Sequence, residues 1–229
     1  MLRYYSLALV TVITGLIIFG FSHTFEQVLM SPAEPQPIIL YAHVLLASGW
    51  LVLLVTQTWL ATSGSLRLHR ALGRLGAVLG ALVSVVAFFT AIELRKIDKV
   101  GDPVANLAYL AIPLGAWVTF SVPFALAMVW RKRPERHRPL ILIAACAILA
   151  PALGRIPEIR HVGLFLTGVI PVILIVTAMV YDRLRTGRWN PTYFVALPLM
   201  LITGGLAVYL ELAQPAVWID IVRWLLATL

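Results

Sequence analysis

Seven stretches of predominantly apolar residues, separated by short segments whose charge alternates in sign from one gap to the next, constrain this chain more than any other feature. They run at about 4–21, 38–61, 71–92, 104–130, 139–157, 162–181 and 193–213. The hydrocarbon core of a bilayer takes ~20 apolar residues per helix. With 61% hydrophobic and 12% charged residues, a water-soluble fold of 229 residues could not hide the apolar surface. Lipid offers no hydrogen bonds to the backbone, which leaves helices or closed barrels, and these runs lack the two-residue alternation of barrel strands. The expected fold is all-α: a polytopic membrane bundle of seven transmembrane helices over residues 1–214, with a short C-terminal interfacial helix over 215–229 in the same domain.

Lysines and arginines orient the bundle. Placing the N-terminus inside puts Arg3, the trio Arg67, Arg70 and Arg74, the cluster Arg131, Lys132, Arg133, Arg136 and Arg138, and the set Arg183, Arg185 and Arg188 on the cytoplasmic side. The opposite gaps hold most of the acids. The expectation is a bacterial inner (plasma) membrane protein with a cytoplasmic N-terminus and its C-terminus outside. The formal charge of +8 then needs only anionic lipid as partner. No aromatic-basic interleaving suggests nucleic acid. Assembly as a homo-oligomer or within a larger membrane complex stays open.

Two segments invite other readings. The first run has a basic residue before its apolar stretch, as a secretory signal does, but Gly20 to Glu26 offers no small-x-small cleavage site, so a retained helix is expected. Residues Pro215 to Leu229 span only about 22 Å at the helical rise, which favours an interfacial helix over an eighth crossing. The single cysteine, Cys146, allows no disulfide. Gly73, Gly76 and Gly80 mark the third helix as the expected centre of packing. Pro113, Pro123, Pro151, Pro171 and Pro198 invite kinks. A weak echo links His69-Arg70-Ala71-Leu72 to His137-Arg138-Pro139-Leu140, each opening a helix at the basic edge, with Gly187 to Pro191 opening the seventh.

Ionisable groups inside the bilayer are functional candidates. His43 lies about six residues into the second run, and Trp50 and Gln57 follow at seven-residue intervals on the same helical face. The bland alternative is that His43 donates one bond to a neighbouring helix. The apolar run Pro139 to Leu153 covers only about 22 Å, which puts Arg155 inside the outer leaflet unless it snorkels to the surface. Glu93 and Glu158 are the acids within reach. Together with His43, His161, Asn106 and Tyr109 they suggest an outer-side polar pocket among helices two to six.

The segments His43 to Trp50, Gln57 to Leu60, Leu68 to Gly76, Arg136 to Leu140 and Tyr181 to Arg188 resemble a family of uncharacterised bacterial multi-pass membrane proteins, a domain of unknown function. The likeness covers most of residues 40 to 191 and implies the fold rather than a reaction. In that family a His-Pro pair often follows the last Gly-Arg, where this chain has Asn190-Pro191. A fainter similarity is to transmembrane diheme cytochromes b, in which paired helix histidines ligate haem. That resemblance implies an inner pair, His69 with His137, and an outer pair, His43 with His161, as ligands of haem b. The competing reading leaves His69 and His137 as basic residues at the headgroup level.

Other activities fail on missing parts. Retinal needs a buried lysine, yet Lys96, Lys99 and Lys132 all lie in loops. No helix carries an H-x-x-x-H pair for zinc, although His43, His161 and Glu158 or Glu211 would satisfy a three-ligand requirement. Phosphate-cradling loops and nucleophile elbows are absent. Two functional classes remain: a His-ligated haem or metal protein using His43, His69, His137 and His161 for redox or cofactor handling, and a non-enzymatic transporter or lipid- or anion-binding protein with the outer pocket. Whether the chain is an enzyme stays open.

Overall fold

The computed structural model describes residues 4–31, 35–97, 102–162 and 164–229, with the side chains of 160–165 outside the described set. The described residues form helices and no strand: α1 (Tyr5–Phe25, continued by a wider π turn over Glu26–Met30), α2 (Ile38–Ser63), α3 (Leu66–Ile97), α4 (Pro103–Tyr109), α5 (Ala111–Val129), α6 (Pro134–Leu153), α7 (Pro157–Val162), α8 (Leu164–Thr186), α9 (Pro191–Ala213) and α10 (Ala216–Thr228). Seven are long and apolar enough to cross a membrane: α1 with its extension, α2, α3, α4 with α5, α6, α8 and α9. The expected all-α membrane bundle is what the chain forms.

The fourth run is divided at Leu110. Pro113 has no N–H for the Tyr109 carbonyl, so the ladder stops there and restarts in α5. The shortfall of the fifth run is made up at its basic end, because the helix begins at Pro134 and its 20 residues reach ~30 Å. Arg155 therefore follows the last helical turn rather than lying within it.

The centre of the bundle is α6, not the glycine-bearing α3. In its apolar span 61% of residues are buried, against 17–28% in the other six. It packs against α1, α5, α8 and α9. Small side chains allow this: Ala144, Ala145, Cys146 and Ala147 are all buried, and neighbouring helices close in around them. Gly20 of α1 faces the carbonyl of Ala152, so closely that an added Cβ would overlap backbone that cannot step aside. On α3, Gly76 faces Leu53 of α2 and the buried Gly80 faces the core Phe124 ring of α5, but α3 packs on this one side only.

Helix ends explain how the hairpins are fixed. Gly64 ends α2 in the left-handed conformation, φ 87°, which lets α3 turn back at once. Inside α6, Pro139 cannot donate to the Glu135 carbonyl. Asn190 supplies the missing donor: its Nδ2 donates to the Glu135 carbonyl at 2.6 Å, while its Oδ1 accepts from Thr192 N–H at 3.0 Å and caps α9. One amide thus ties the α8–α9 hairpin to the central helix.

At the other end, α10 has 13 residues, ~20 Å, too short to cross. Val222 buries against Ile92 and Leu110, Ile219 is buried as well, and Trp218 Nε1 donates to the Ala108 carbonyl at 3.2 Å. Val217, Ile221 and Trp224 stay exposed on the opposite face, as an interfacial helix requires. Asn190→Ala removes a cap and strands a carbonyl, and should cost about 2 kcal/mol. Thermal unfolding in detergent, with Asn190→Ser retaining the cap as control, measures it.

Candidate functional site

Two of the four candidate histidines stand at matching helix starts at the same end of the bundle. His69 sits in the first turns of α3 and His137 in the first turns of α6, each just past a tight helix-helix turn. They lie close enough for the charge on one ring to bear on the other. Each ring is half-buried and turned back on the preceding helix. His137 Nδ1 donates to the Ala127 carbonyl at 2.9 Å, in the last turn of α5, where carbonyls lack an intrahelical donor. Because a carbonyl only accepts, the proton of the neutral ring is on Nδ1, and Nε2 keeps its lone pair. That is the state of an imidazole ready to ligate, with its orientation set by the other nitrogen.

His69 is held differently. Its Nδ1 lies 3.2 Å from the Gln57 backbone carbonyl of α2. The Gln57 side chain also lies against it. With the amide nitrogen toward the ring, Gln57 donates to His69 Nδ1 at 2.6 Å and to the His69 carbonyl at 3.0 Å, while its oxygen accepts from Gly73 N–H at 3.1 Å. This orientation satisfies both ends of the amide, makes Nδ1 an acceptor and puts the proton of the neutral ring on Nε2. A half-turn of the amide reverses the assignment, since Gln57 oxygen can then accept from Nδ1–H. The two rings thus carry complementary protonation.

Beside them the basic ends of four helices are linked. Arg138 of α6 donates to Ser6 Oγ of α1 at 3.0 Å and lies 3.9 Å from Asp182 of α8, which accepts from Tyr193 OH of α9 at 3.2 Å. Tyr5 stacks on Tyr181 with ring centroids 4.0 Å apart. These contacts hold α1, α8 and α9 to α6.

The outer-side candidates are only partly gathered. The seven-residue stripe on α2 divides: Trp50 is a core residue set edge-to-face on Phe120, and Gln57 belongs to the basic end beside His69, not to an outer pocket. His43 is half-buried, and its Nδ1 has no hydrogen-bond partner among the described residues. Glu93 pairs with Lys96 at 3.0 Å rather than with Arg155. Glu158 is exposed. The His161 side chain lies outside the described residues, so the expected outer pair with His43 does not come under description.

Arg155 donates to the Pro151 carbonyl at 2.6 Å and lies 4.4 Å from the Phe21 ring centroid, within electrostatic reach of Tyr109. Tyr109 has a second cation, Arg95, whose guanidinium stands 5.1 Å from its ring centroid and also donates to the Asn106 carbonyl at 3.1 Å. Sequence reading placed Asn106, Tyr109 and Arg155 together but not Arg95, which lies in the last turn of α3.

Among the described residues no three His, Cys, Asp or Glu side chains converge on one point, so the three-ligand hydrolytic metal centre through His43 and Glu211 gains no support. The chain matches no protein-family model, no curated protein and no solved structure. Nitrogen NMR of labelled histidines should show the neutral proton on Nδ1 for His137 and on Nε2 for His69. Gln57→Leu should move the His69 proton to Nδ1, onto the Gln57 carbonyl; identical tautomers in the parent protein would contradict the arrangement.

Proposed function

We propose that this protein holds a redox cofactor of the haem class, or a transition metal in its place, between His69 and His137 at the basic end of the bundle. The observation that carries the proposal is the arrival of two half-buried imidazoles from matching positions of two helix hairpins, each anchored through Nδ1 and each with no hydrogen-bond partner at Nε2 among the described residues. Low-spin haem iron takes an axial pair of imidazoles from facing helices, and the second ring nitrogen of such a ligand is held by a carbonyl or carboxylate. His137 meets this condition as it stands. His69 meets it once the Gln57 amide turns its oxygen to the ring. A haem would bring one-electron chemistry; the chain's own contribution is to fix both rings and keep them out of bulk water. The family resemblance, the cytoplasmic placing of the basic end and a bacterial inner membrane belong to the same proposal.

A second reading is a non-enzymatic anion-binding or transport role at the opposite end. It rests on Arg155, whose described contacts are a carbonyl and an aromatic ring, near a Tyr109 already flanked by Arg95. Purified protein, loaded with haem and separately with a divalent metal, distinguishes the two. Under the first reading, the reduced-minus-oxidised spectrum shows the sharp bands of six-coordinate haem, or metal analysis gives about one ion per chain. His69→Ala and His137→Ala should each lower cofactor retention by at least about tenfold, while His43→Ala leaves it unchanged. Equal retention in all three variants, or none in the parent, rules out the histidine pair and leaves the outer cluster.

A further inference from the structure

The outer face of α3 carries a pattern that the histidine pair does not use. This helix has 32 residues and is ~48 Å long, some 18 Å more than a hydrocarbon core of ~30 Å. Its first turns therefore stand at the level of the lipid headgroups. There Arg67, Arg70 and Arg74 are all exposed, and none makes a hydrogen bond, ion pair or ring contact among the described residues. They recur at intervals of three and four residues. The same spacing continues up the helix through Val78, Leu82, Val85 and Phe89, all exposed as well. At 3.6 residues per turn these seven positions fall within an arc of about 120°. His69, Gly76, Gly80 and Val83 occupy the opposite side, against α2 and α5.

One continuous stripe thus has three free guanidinium groups at its base and four apolar side chains above. A soluble anion or a nucleic acid would meet only the base. An amphiphile with a negative headgroup and acyl chains meets the whole length. We infer that this face of α3 is a binding site for a single anionic phospholipid, its phosphodiester held between Arg70 and either Arg67 or Arg74 and its chains lying along Val78, Leu82 and Val85. Arginine suits the task, because its planar fork donates two parallel bonds to one phosphate. The other basic turn, Arg131 to Arg133, lacks the pattern: Arg131 donates to the Met128 carbonyl and the turn leads into the buried face of α6.

Full-length protein in a zwitterionic detergent, stripped of lipid, tests this by its Tm as lipid is added. Phosphatidylglycerol should raise the Tm saturably, and phosphatidylcholine with the same chains should not. Inorganic phosphate should also fail, which separates a lipid from a free anion. The triple variant Arg67→Gln/Arg70→Gln/Arg74→Gln should keep the lipid-free Tm, since these exposed side chains make no hydrogen bond, ion pair or ring contact among the described residues, but need roughly a hundredfold more phosphatidylglycerol for half-saturation. Arg131→Gln/Lys132→Gln/Arg133→Gln should respond as the parent does. Native mass spectrometry should find one retained anionic lipid in the parent and the second variant, and none in the first. An unchanged half-saturation in the α3 variant, an equal loss in both variants, or an equal shift with inorganic phosphate overturns the site.

Discussion

Lipid cannot form hydrogen bonds, and nearly every polar placement in this bundle follows from that. Threonines along the helices turn their hydroxyls onto carbonyls three or four residues back, as Thr58 does onto Leu54 and Thr203 onto Leu199. Where α3 meets α5, Ser84 and Ser121 bond to each other, and Trp117 Nε1 donates to the Ser84 carbonyl at 2.8 Å. Where proline breaks a ladder near the basic end, Asn190 takes up the carbonyl left over. His69 and His137 obey the same rule, each oriented by the helix it follows, while His43 Nδ1 is left without a partner among the described residues. A ring fixed in this way costs little to orient when it ligates, which is why a structural constraint and a candidate site coincide.

The helix that organises these contacts is the one most withdrawn from the surface. Of the seven spans, α6 has the lowest mean hydropathy and the greatest burial. There is no conflict, because hydropathy measures what a helix needs in order to face hydrocarbon, and a helix enclosed by four others has no such need. Its run of alanines and Cys146 instead permits close approach, most tightly where Gly20 meets Ala152. The glycines of α3 suggested a central helix because glycine signals contact. Contact on one side does not make a centre, and the far side of α3 faces outward from Arg67 to Phe89.

Span number, helical class and the shortness of α10 were legible because length and apolar content report directly on the bilayer. The positions of His69 and His137 at matching helix starts were legible too, from the repeated His-Arg and the alternation of ends. Depth was harder. Counting along α2 put Gln57 on the same face as His43 but took no account of the 21 Å that 14 residues rise, which carries it to the opposite end of the bundle. The part played by Arg95 depends on which helices are neighbours, and one-dimensional patterns do not carry that, whereas the Glu93–Lys96 pair is an i,i+3 contact within α3 and the division at Leu110 follows from Pro113. On α3 the two readable periodicities separate cleanly, one side holding His69 against the bundle and the other presenting arginines and apolar residues outward.

The account turns on α5 packing against both α3 and α6, so that His69 and His137 share one end of the bundle. Cross-linking in native membranes tests this most directly. In a Cys146→Ser background, His69→Cys with His137→Cys is treated with a short bifunctional thiol reagent and then cleaved between α3 and α6. The account predicts that the two fragments stay joined, whereas His43→Cys with His137→Cys, at opposite ends, comes apart. Fragments that separate in the first pair, or remain joined equally in both, would contradict it.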